Sequence, residues 1–248
     1  MKKLVTIAVV LLLCTSKLWA ATADADTLKQ QLTILSDSLK APIYTQIAAE
    51  YLHYDTIASK KKKMAYQNKA IDYTMKALHY YSKYNDTTGL RTCFDNLAMV
   101  YHAQKKYSQA KWFILQSNTL SRASNDIPNI ITSLIELASI KSDIKDYNLA
   151  LGDLNEALQL STNNHFVRTE SAVQQSYAML YMHMKDYPKA AIALRRHNFI
   201  DDSIRRSEEA SLLAKLKTSD SLQTKKKFYT SSNRKLYKNS SSKRVASL

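Results

Sequence analysis

The stretch Leu134–Leu160 reads LIELASIKSDIKDYNLALGDLNEALQL, and it decides the fold class of this 248-residue chain. Its leucines and alanines recur at intervals of three and four residues, which is the spacing of one face of an α-helix. The spacing is interrupted at Lys145, Asp146 and Tyr147. We therefore predict two antiparallel helices joined by a turn at these three residues.

The same pattern returns every 40 residues. Four columns of identical residues align without gaps in three consecutive blocks: Ala98, Ala138 and Ala178; Lys105, Lys145 and Lys185; Tyr107, Tyr147 and Tyr187; Ala110, Ala150 and Ala190. A fixed period of roughly 20 to 50 residues is typical of a solenoid, in which each unit buries its apolar face against its neighbours. The alanines predict close approach of helix backbones, since a larger side chain at a crossing would overpack it.

The composition excludes several classes of protein. The chain has only 2 glycines and 3 prolines, and Gly89 and Gly152 lie far apart. A dinucleotide fingerprint, a phosphate-binding Gly-rich loop and a strained nucleophile elbow all need clustered glycines. An all-β fold would need Gly- or Pro-rich turns at short intervals. A helical protein fits, because short connections between helices need few breakers.

These residues resemble the tetratricopeptide repeat (TPR), a helical hairpin with small and aromatic residues at fixed places. The matching residues are Ala98, Tyr101, Tyr107, Ala110 and Ser117; then Ala138, Tyr147, Ala150 and Ala157; then Ala178, Tyr181, Tyr187 and Ala190. Lys141 and His197 depart from the pattern, which has an aromatic and a small residue there. The resemblance covers residues 43–200 and implies an all-α fold, a right-handed TPR superhelix of antiparallel helix pairs. At about 40 residues per repeat it matches the long-repeat type, with about three and a half pairs.

The resemblance also implies where a partner would bind. TPR arrays bind a peptide or protein in a concave groove lined by the first helix of each pair. The matching positions are Thr92, Asp95, Met99 and His102; Thr132, Ile135, Ser139 and Ser142; and Ala172, Gln175, Met179 and Met182. The set carries few charges and ends in a cluster of methionines. We therefore expect an extended or amphipathic apolar segment as the ligand.

Residues 1–20 have the layout of a secretory signal peptide. A charged start, Met1-Lys2-Lys3, is followed by the apolar run Leu4–Leu13 and by small residues near Ala20. The run is too short to span a bilayer as a helix. We expect export to the periplasm and cleavage. Cys93 would then be the remaining cysteine, a free and buried thiol.

The rest of the chain divides into four regions. We predict a lead-in helix over 21–42 that ends near Pro42, and the TPR array over 43–204. A C-terminal helical extension follows over 205–228, and then a disordered basic tail over 229–248. Disorder is expected for the tail because its polar, Ser-rich sequence offers little apolar surface to bury.

The net charge of +15 belongs mainly to the ends of the chain. From Lys215 onward there are ten Lys or Arg residues and one acid, whereas residues 21–214 carry a net charge of only +3. With no nucleic-acid-binding motif present, we expect no nucleic-acid partner. Peripheral membrane contact of the tail with anionic head groups remains an alternative, and binding of nucleic acid or another anionic surface is less favoured.

Two hypotheses about the whole protein remain open. The helical extension resembles the one that follows the repeats in Gram-negative sensor-regulators, where a periplasmic TPR array leads to a membrane helix and a cytoplasmic signalling module. The chain is either a stand-alone periplasmic interaction or sensor module in signal transduction, or a truncated member of a TPR-containing membrane-bound transcriptional regulator or histidine kinase family.

No catalytic constellation is evident in the sequence. The six histidines form no H-E-x-x-H motif and no zinc-finger spacing with cysteine. The acid pair Asp201-Asp202 is consecutive, so on a helix the two carboxylates point in different directions. We therefore predict a protein without enzymatic activity, cofactor or metal.

Overall fold

The computed structural model describes the backbone of residues 25–245 and the side chains of residues 27–218. Within these residues the fold has nine helices and no strands: α1 Ala25–Ile34, α2 Asp37–Leu52, α3 Lys60–Lys83, α4 Thr87–Ala103, α5 Tyr107–Ala123, α6 Ile127–Asp143, α7 Tyr147–Asn163, α8 Val167–His183 and α9 Tyr187–Val245, with a 3-10 turn at Tyr54–Thr56. The helices pack as the pairs α2/α3, α4/α5, α6/α7 and α8/α9. The predicted all-α superhelix of helix pairs is confirmed.

One turn motif, repeated every 20 residues, joins the helices from α3 to α9. In each turn one residue has a left-handed backbone with φ between 52° and 69°: Asn85, Lys105, Asn125, Lys145, His165 and Lys185. The backbone N–H of the next residue donates a hydrogen bond back across the turn. Asp146 N, for example, donates to Lys141 O at 2.8 Å. This is the Schellman arrangement that ends many helices. The repeated lysines of the sequence therefore occupy left-handed backbone positions. The helices between these turns, α4 to α8, are each 17 residues long.

The repeated alanines lie where helices cross. Ala98, Ala110 and Ala150 are fully buried, and Ala138 and Ala178 are 3% and 2% exposed. The first helices of neighbouring pairs also contact each other, α2 with α4 and α6 with α8. The first helices therefore lie side by side along the array.

The repeated tyrosines begin the second helix of each pair. Tyr107, Tyr147 and Tyr187 are the first residues of α5, α7 and α9. The hydroxyl of Tyr147 donates to the carbonyl of His183 at 3.2 Å, which ties α7 to the end of α8. Other tyrosines fill the first pair, where the ring of Tyr51 stacks on that of Tyr73 with centroids 5.7 Å apart.

The predicted end of the lead-in helix near Pro42 is wrong. The chain breaks earlier, between α1 and α2, and Pro42 lies inside α2. Leu28 is buried while Leu39 is 54% exposed, so the two leucines do not share one apolar face. Asp37 in the first turn of α2 interacts favourably with the helix dipole, so a start there is favoured over one after the proline.

The C-terminal helix is longer than predicted. α9 runs unbroken from Tyr187 to Val245, across the boundaries expected at 204 and 228, and most of the predicted disordered tail is helical. After Pro188 this segment contains no glycine or proline, so nothing in it ends the helix. Ile200 is buried, but the side chains of 205–218 are exposed.

Across residues 25–245, the helices lack a stretch long and apolar enough to cross a bilayer. The predicted signal peptide, residues 1–20, lies outside the described residues.

Candidate functional site

The predicted groove residues lie on α4, α6 and α8, the first helices of the last three pairs. Three methionines are the most open apolar side chains among them: Met99 is 43% exposed, Met179 52% and Met182 50%. Thr132, Ser139 and Gln175 are also exposed. Thr92, Asp95, His102, Ile135 and Ala172 are half-buried, and Ser142 is buried.

Four of the predicted residues meet in one cavity between α6 and α8. Ile135, Ser139, Ser142 and Met179 line a space of about 180 Å³. Ala138, Leu154 and Leu180 form its apolar base, and Glu136, Ser176 and His183 stand around it. The cavity is smaller than a typical pocket for a drug-sized ligand, and its mostly apolar lining suits a single aliphatic side chain of a longer partner.

A second cavity contains His102 and Met99. It has a volume of about 420 Å³ and is lined also by Tyr54, Asp55, Ala103, Lys105, Tyr107, Glu136 and Asp143. The His102 ring lies between two carboxylates of α6, with Nδ1 2.9 Å from Glu136 Oε1 and Nε2 2.8 Å from Asp143 Oδ2. The hydrogen bond to Glu136 raises the pKa of His102, and the bond to Asp143 adds to the effect although burial opposes it.

His183 extends this polar cluster from α6 to α8. Its Nδ1 lies 2.8 Å from the hydroxyl of Ser142 and 3.9 Å from Asp143 Oδ1. His102, Asp143 and His183 therefore form a continuous row of titratable groups across α4, α6 and α8. The two cavities are neighbours, since Glu136 borders both of them.

The other predicted groove residues are not brought into this cluster. Asp95 bonds to Ser117 of α5, and burial raises the pKa of its carboxyl group. Thr92 and Thr132 donate to carbonyl oxygens of their own helices, at 3.0 Å each. Ala172 and Gln175 line a separate cavity of about 480 Å³ between α8 and α9.

Sequence reasoning missed Glu136, Asp143 and His183. The carboxylates are seven residues apart on α6, which places them on one helical face. His183 lies 41 residues after Ser142, close to the repeat period. Both signals were present, but neither identifies the partner side chains, because those come from other helix pairs.

A serine, a histidine and an aspartate meet between α8 and α9, but not as a nucleophile and its base. His197 Nδ1 lies 2.8 Å from Ser171 Oγ and also 3.1 Å from the Ser171 carbonyl oxygen. Because a carbonyl oxygen only accepts, this nitrogen carries the proton and cannot take one from the serine. The Ser171 hydroxyl donates to Asp201 instead, and the residue is only 3% exposed.

The remaining reactive groups of the described residues have ordinary structural roles. Cys93 is fully buried, and burial raises its pKa to about 12, so the thiol stays protonated. Within the described part of the chain, no grouping of His, Cys, Asp and Glu is arranged to hold a metal ion.

Comparisons with known proteins identify the fold. No protein-family model and no curated protein matches the chain. Among solved structures, a putative kinesin light chain from Podosopora anserina with TPR-like repeats is 15% identical, with a TM-score of 0.59 over 73% of this chain and 87% of its own.

Two further structures are similar over only part of their length. Aspartyl phosphate phosphatase F from Bacillus subtilis is 12% identical with a TM-score of 0.61, over 72% of this chain and 44% of its own. A signal transduction ATPase from Pyrococcus horikoshii with a TPR sensor is 18% identical with the same TM-score, over 75% and 27%. The present chain thus spans less than half the length of either, and the likeness concerns the TPR-type fold.

Proposed function

We propose that this protein is an exported, non-enzymatic interaction or sensor module that binds a peptide or protein in the concave groove of its TPR array. The observation that carries the proposal is the cavity of Ile135, Ser139, Ser142 and Met179 between two neighbouring first helices. It provides an apolar anchor point flanked by hydroxyl groups. The exposed Met179 and Met182 supply flexible apolar surface beside it, which adapts to different side chains.

The two cavities suggest how such a ligand would lie. They are neighbours along the groove, and Glu136 borders both. An extended segment would place an aliphatic side chain in the smaller cavity and continue past the polar row toward Met99. Burying one such side chain contributes about 1.5–3 kcal/mol, so several contacts along the groove are needed for tight binding.

This proposal is tested by selecting peptides that bind the unmodified protein from a displayed library of random dodecapeptides. We expect the selected peptides to bind the double variant Met179→Lys, Met182→Lys at least roughly tenfold more weakly, because charges replace the apolar surface. Titration calorimetry of two synthetic peptides from the selection measures the loss.

The matched control places lysines on second helices, outside the groove. Met75 of α3 and Leu149 of α7 are 44% and 55% exposed, close to the values of the groove methionines. Met75→Lys, Leu149→Lys should bind the same peptides as the unmodified protein does. Equal affinity of the groove and control variants would show that the groove is not the binding surface.

The location in the periplasm is part of the proposal and rests on the pattern of residues 1–20. The resemblance to sensor-regulators supports a role in signal transduction, and membership of a TPR-containing regulator family is the alternative form of it. Contact of the basic end of α9 with anionic lipid is a further hypothesis, supported by the ten basic residues from Lys215 onward.

A further inference from the structure

His102 of α4 contacts a carboxylate with each of its two ring nitrogens. Nδ1 of the ring lies within 3 Å of a carboxylate oxygen of Glu136, and Nε2 lies within 3 Å of one of Asp143. An ionised carboxylate only accepts hydrogen bonds, and a neutral imidazole has only one N–H to donate. Both contacts are satisfied together only when the ring carries two protons.

We propose that His102 is held as an imidazolium between Glu136 and Asp143. These two contacts, called the tie below, link the second and third helix pairs and are controlled by the protonation of the ring. The ring belongs to α4 and both carboxylates belong to α6, so the tie crosses the boundary between repeats. Loss of one proton would turn a nitrogen lone pair toward a carboxylate oxygen at less than 3 Å. That contact is repulsive, and one of the two bonds must then open.

The groups around the ring favour the charged form. Those that face it are Glu136 and Asp143 from α6, Tyr54 and Asp55 from the 3-10 turn, Lys105 from the turn after α4, Tyr107 from α5 and, through Asp143, His183 from α8. Among these groups, Lys105 carries a positive charge, as the imidazolium does. Asp55 is already paired with Lys63 at 2.8 Å. The His102 side chain is 17% exposed, so water screens its two ion pairs only in part.

Opening of the tie would also affect α8, the first helix of the fourth pair. Asp143 Oδ2 bonds to His102, while its Oδ1 lies 3.9 Å from His183 on α8. Release of Asp143 by His102 would leave the carboxylate free to move toward His183. The relative placement of α4, α6 and α8 would therefore depend on pH. Control of ligand binding by this change rests on the proposed function, whereas the tie itself does not.

The direction of the pH dependence follows from the raised pKa of His102. A group whose pKa is higher in the folded state contributes stability that is fully present below its unfolded pKa, about 6.5 for histidine. This stability is lost as pH rises through the folded pKa. The tie should therefore hold below about pH 6.5 and release as the pH rises through the raised pKa of His102.

Imidazole NMR of the unmodified full chain tests the protonation state without any variant. We expect both ring nitrogens of His102 to be protonated, with a titration midpoint above about 6.5. In Asp143→Asn the titration midpoint of His102 should move down. Unlike a carboxylate, the neutral amide can also donate a hydrogen bond, so it does not require a protonated ring nitrogen. A midpoint at or below the ordinary value, or one that Asp143→Asn leaves in place, would overturn the proposal.

Urea unfolding over a range of pH tests the tie itself. Relative to the unmodified protein, His102→Gln should lower the unfolding midpoint at about pH 5.5, and the difference should shrink toward zero at about pH 9. His79→Gln is the control, since His79 is exposed and its ring contacts Tyr80. A difference for His102→Gln that does not change with pH would contradict a proton-controlled tie. No peptide is present in either experiment, so neither result depends on the groove being a binding site.

Discussion

At the scale of single residues, the two glycines of this chain have opposite structural roles. Gly89 is buried in the first turn of α4, and a Cβ there would overlap the ring of Tyr81. That ring has little freedom to move, since its hydroxyl accepts a hydrogen bond from Thr45 at 3.3 Å. Gly152 lies in the middle of α7 with open space around its Cα. Close packing thus requires glycine at position 89 only.

Substituting alanine at both positions separates the two roles. Gly89→Ala should destabilise the fold by about 1–3 kcal/mol, because the added methyl group overpacks the contact with Tyr81. Gly152→Ala should stabilise it by about 0.5–1 kcal/mol through the higher helix propensity of alanine. Thermal unfolding should show midpoint shifts of opposite sign. Equal shifts would mean that the Tyr81 ring rearranges at no cost.

At the scale of helices, one ion pair replaces an aromatic contact of the repeat. In the second pair the rings of Tyr101 and Phe113 stack with centroids 5.5 Å apart and planes at 1°. In the third pair the matching positions are Lys141 and Asp153, whose charged atoms lie 2.6 Å apart. The substitution that departs from the TPR pattern at Lys141 is therefore compensated on the facing helix.

Burial makes this pair sensitive to the loss of one partner. The two side chains are 13% and 15% exposed, and burial raises the pKa of Asp153 while Lys141 opposes the shift. Removing the lysine alone would leave a carboxylate without its counter-charge in a mostly dry interface. Replacing both charges with rings that pack well need not cost stability.

A double-mutant cycle tests this compensation. Lys141→Tyr alone should destabilise the protein by about 1–3 kcal/mol, and Lys141→Tyr, Asp153→Phe should recover most of that loss. The loss in the single variant should shrink as pH falls through the raised pKa of Asp153, because the protonated carboxyl no longer needs a counter-charge. Urea unfolding provides the free energies. Additive effects of the two substitutions would show that the residues act independently.

At the scale of the whole molecule, the array ends inside α9 although the helix continues. Ala190, Ala193 and Ile200 of α9 are buried, and the side chains beyond position 204 are exposed up to Thr218. The exposed side of this part of α9 is mixed, with the polar Asn198 and Asp201 beside the apolar Ile192, Leu194 and Phe199.

Two shortened chains test where the cooperative unit ends. A chain that stops after Thr218 should keep its melting midpoint within about 2 °C of the full chain, because the side chains of α9 are already exposed from 205 to 218. A chain that stops after Asp186 should lose roughly 10 °C or more, since removal of α9 uncovers the core of the last pair. Circular dichroism at several temperatures measures both. A large loss in the longer chain would place the end of the folded unit beyond Thr218.

Much of the fold could be predicted from the sequence because its determinants are local. Apolar spacing at three and four residues defines the helices, and the identical columns define the 40-residue period. The lysines and tyrosines around each turn predicted where the second helices begin. The break before Asp37 and the full length of α9 were not predicted. Their local signals, Pro42 and the Ser-rich tail, are compatible with more than one helix boundary.

The sequence by itself determined the class of fold, its period, its turns and the first helix of each pair. Only the tertiary structure decided which side chains meet there. The contacts of His102 with Glu136 and Asp143 join residues 34 and 41 positions apart on different helix pairs. Such contacts depend on the angle between pairs, which is set by packing across the whole interface. No local pattern encodes that angle, so the candidate site became visible only in the folded chain.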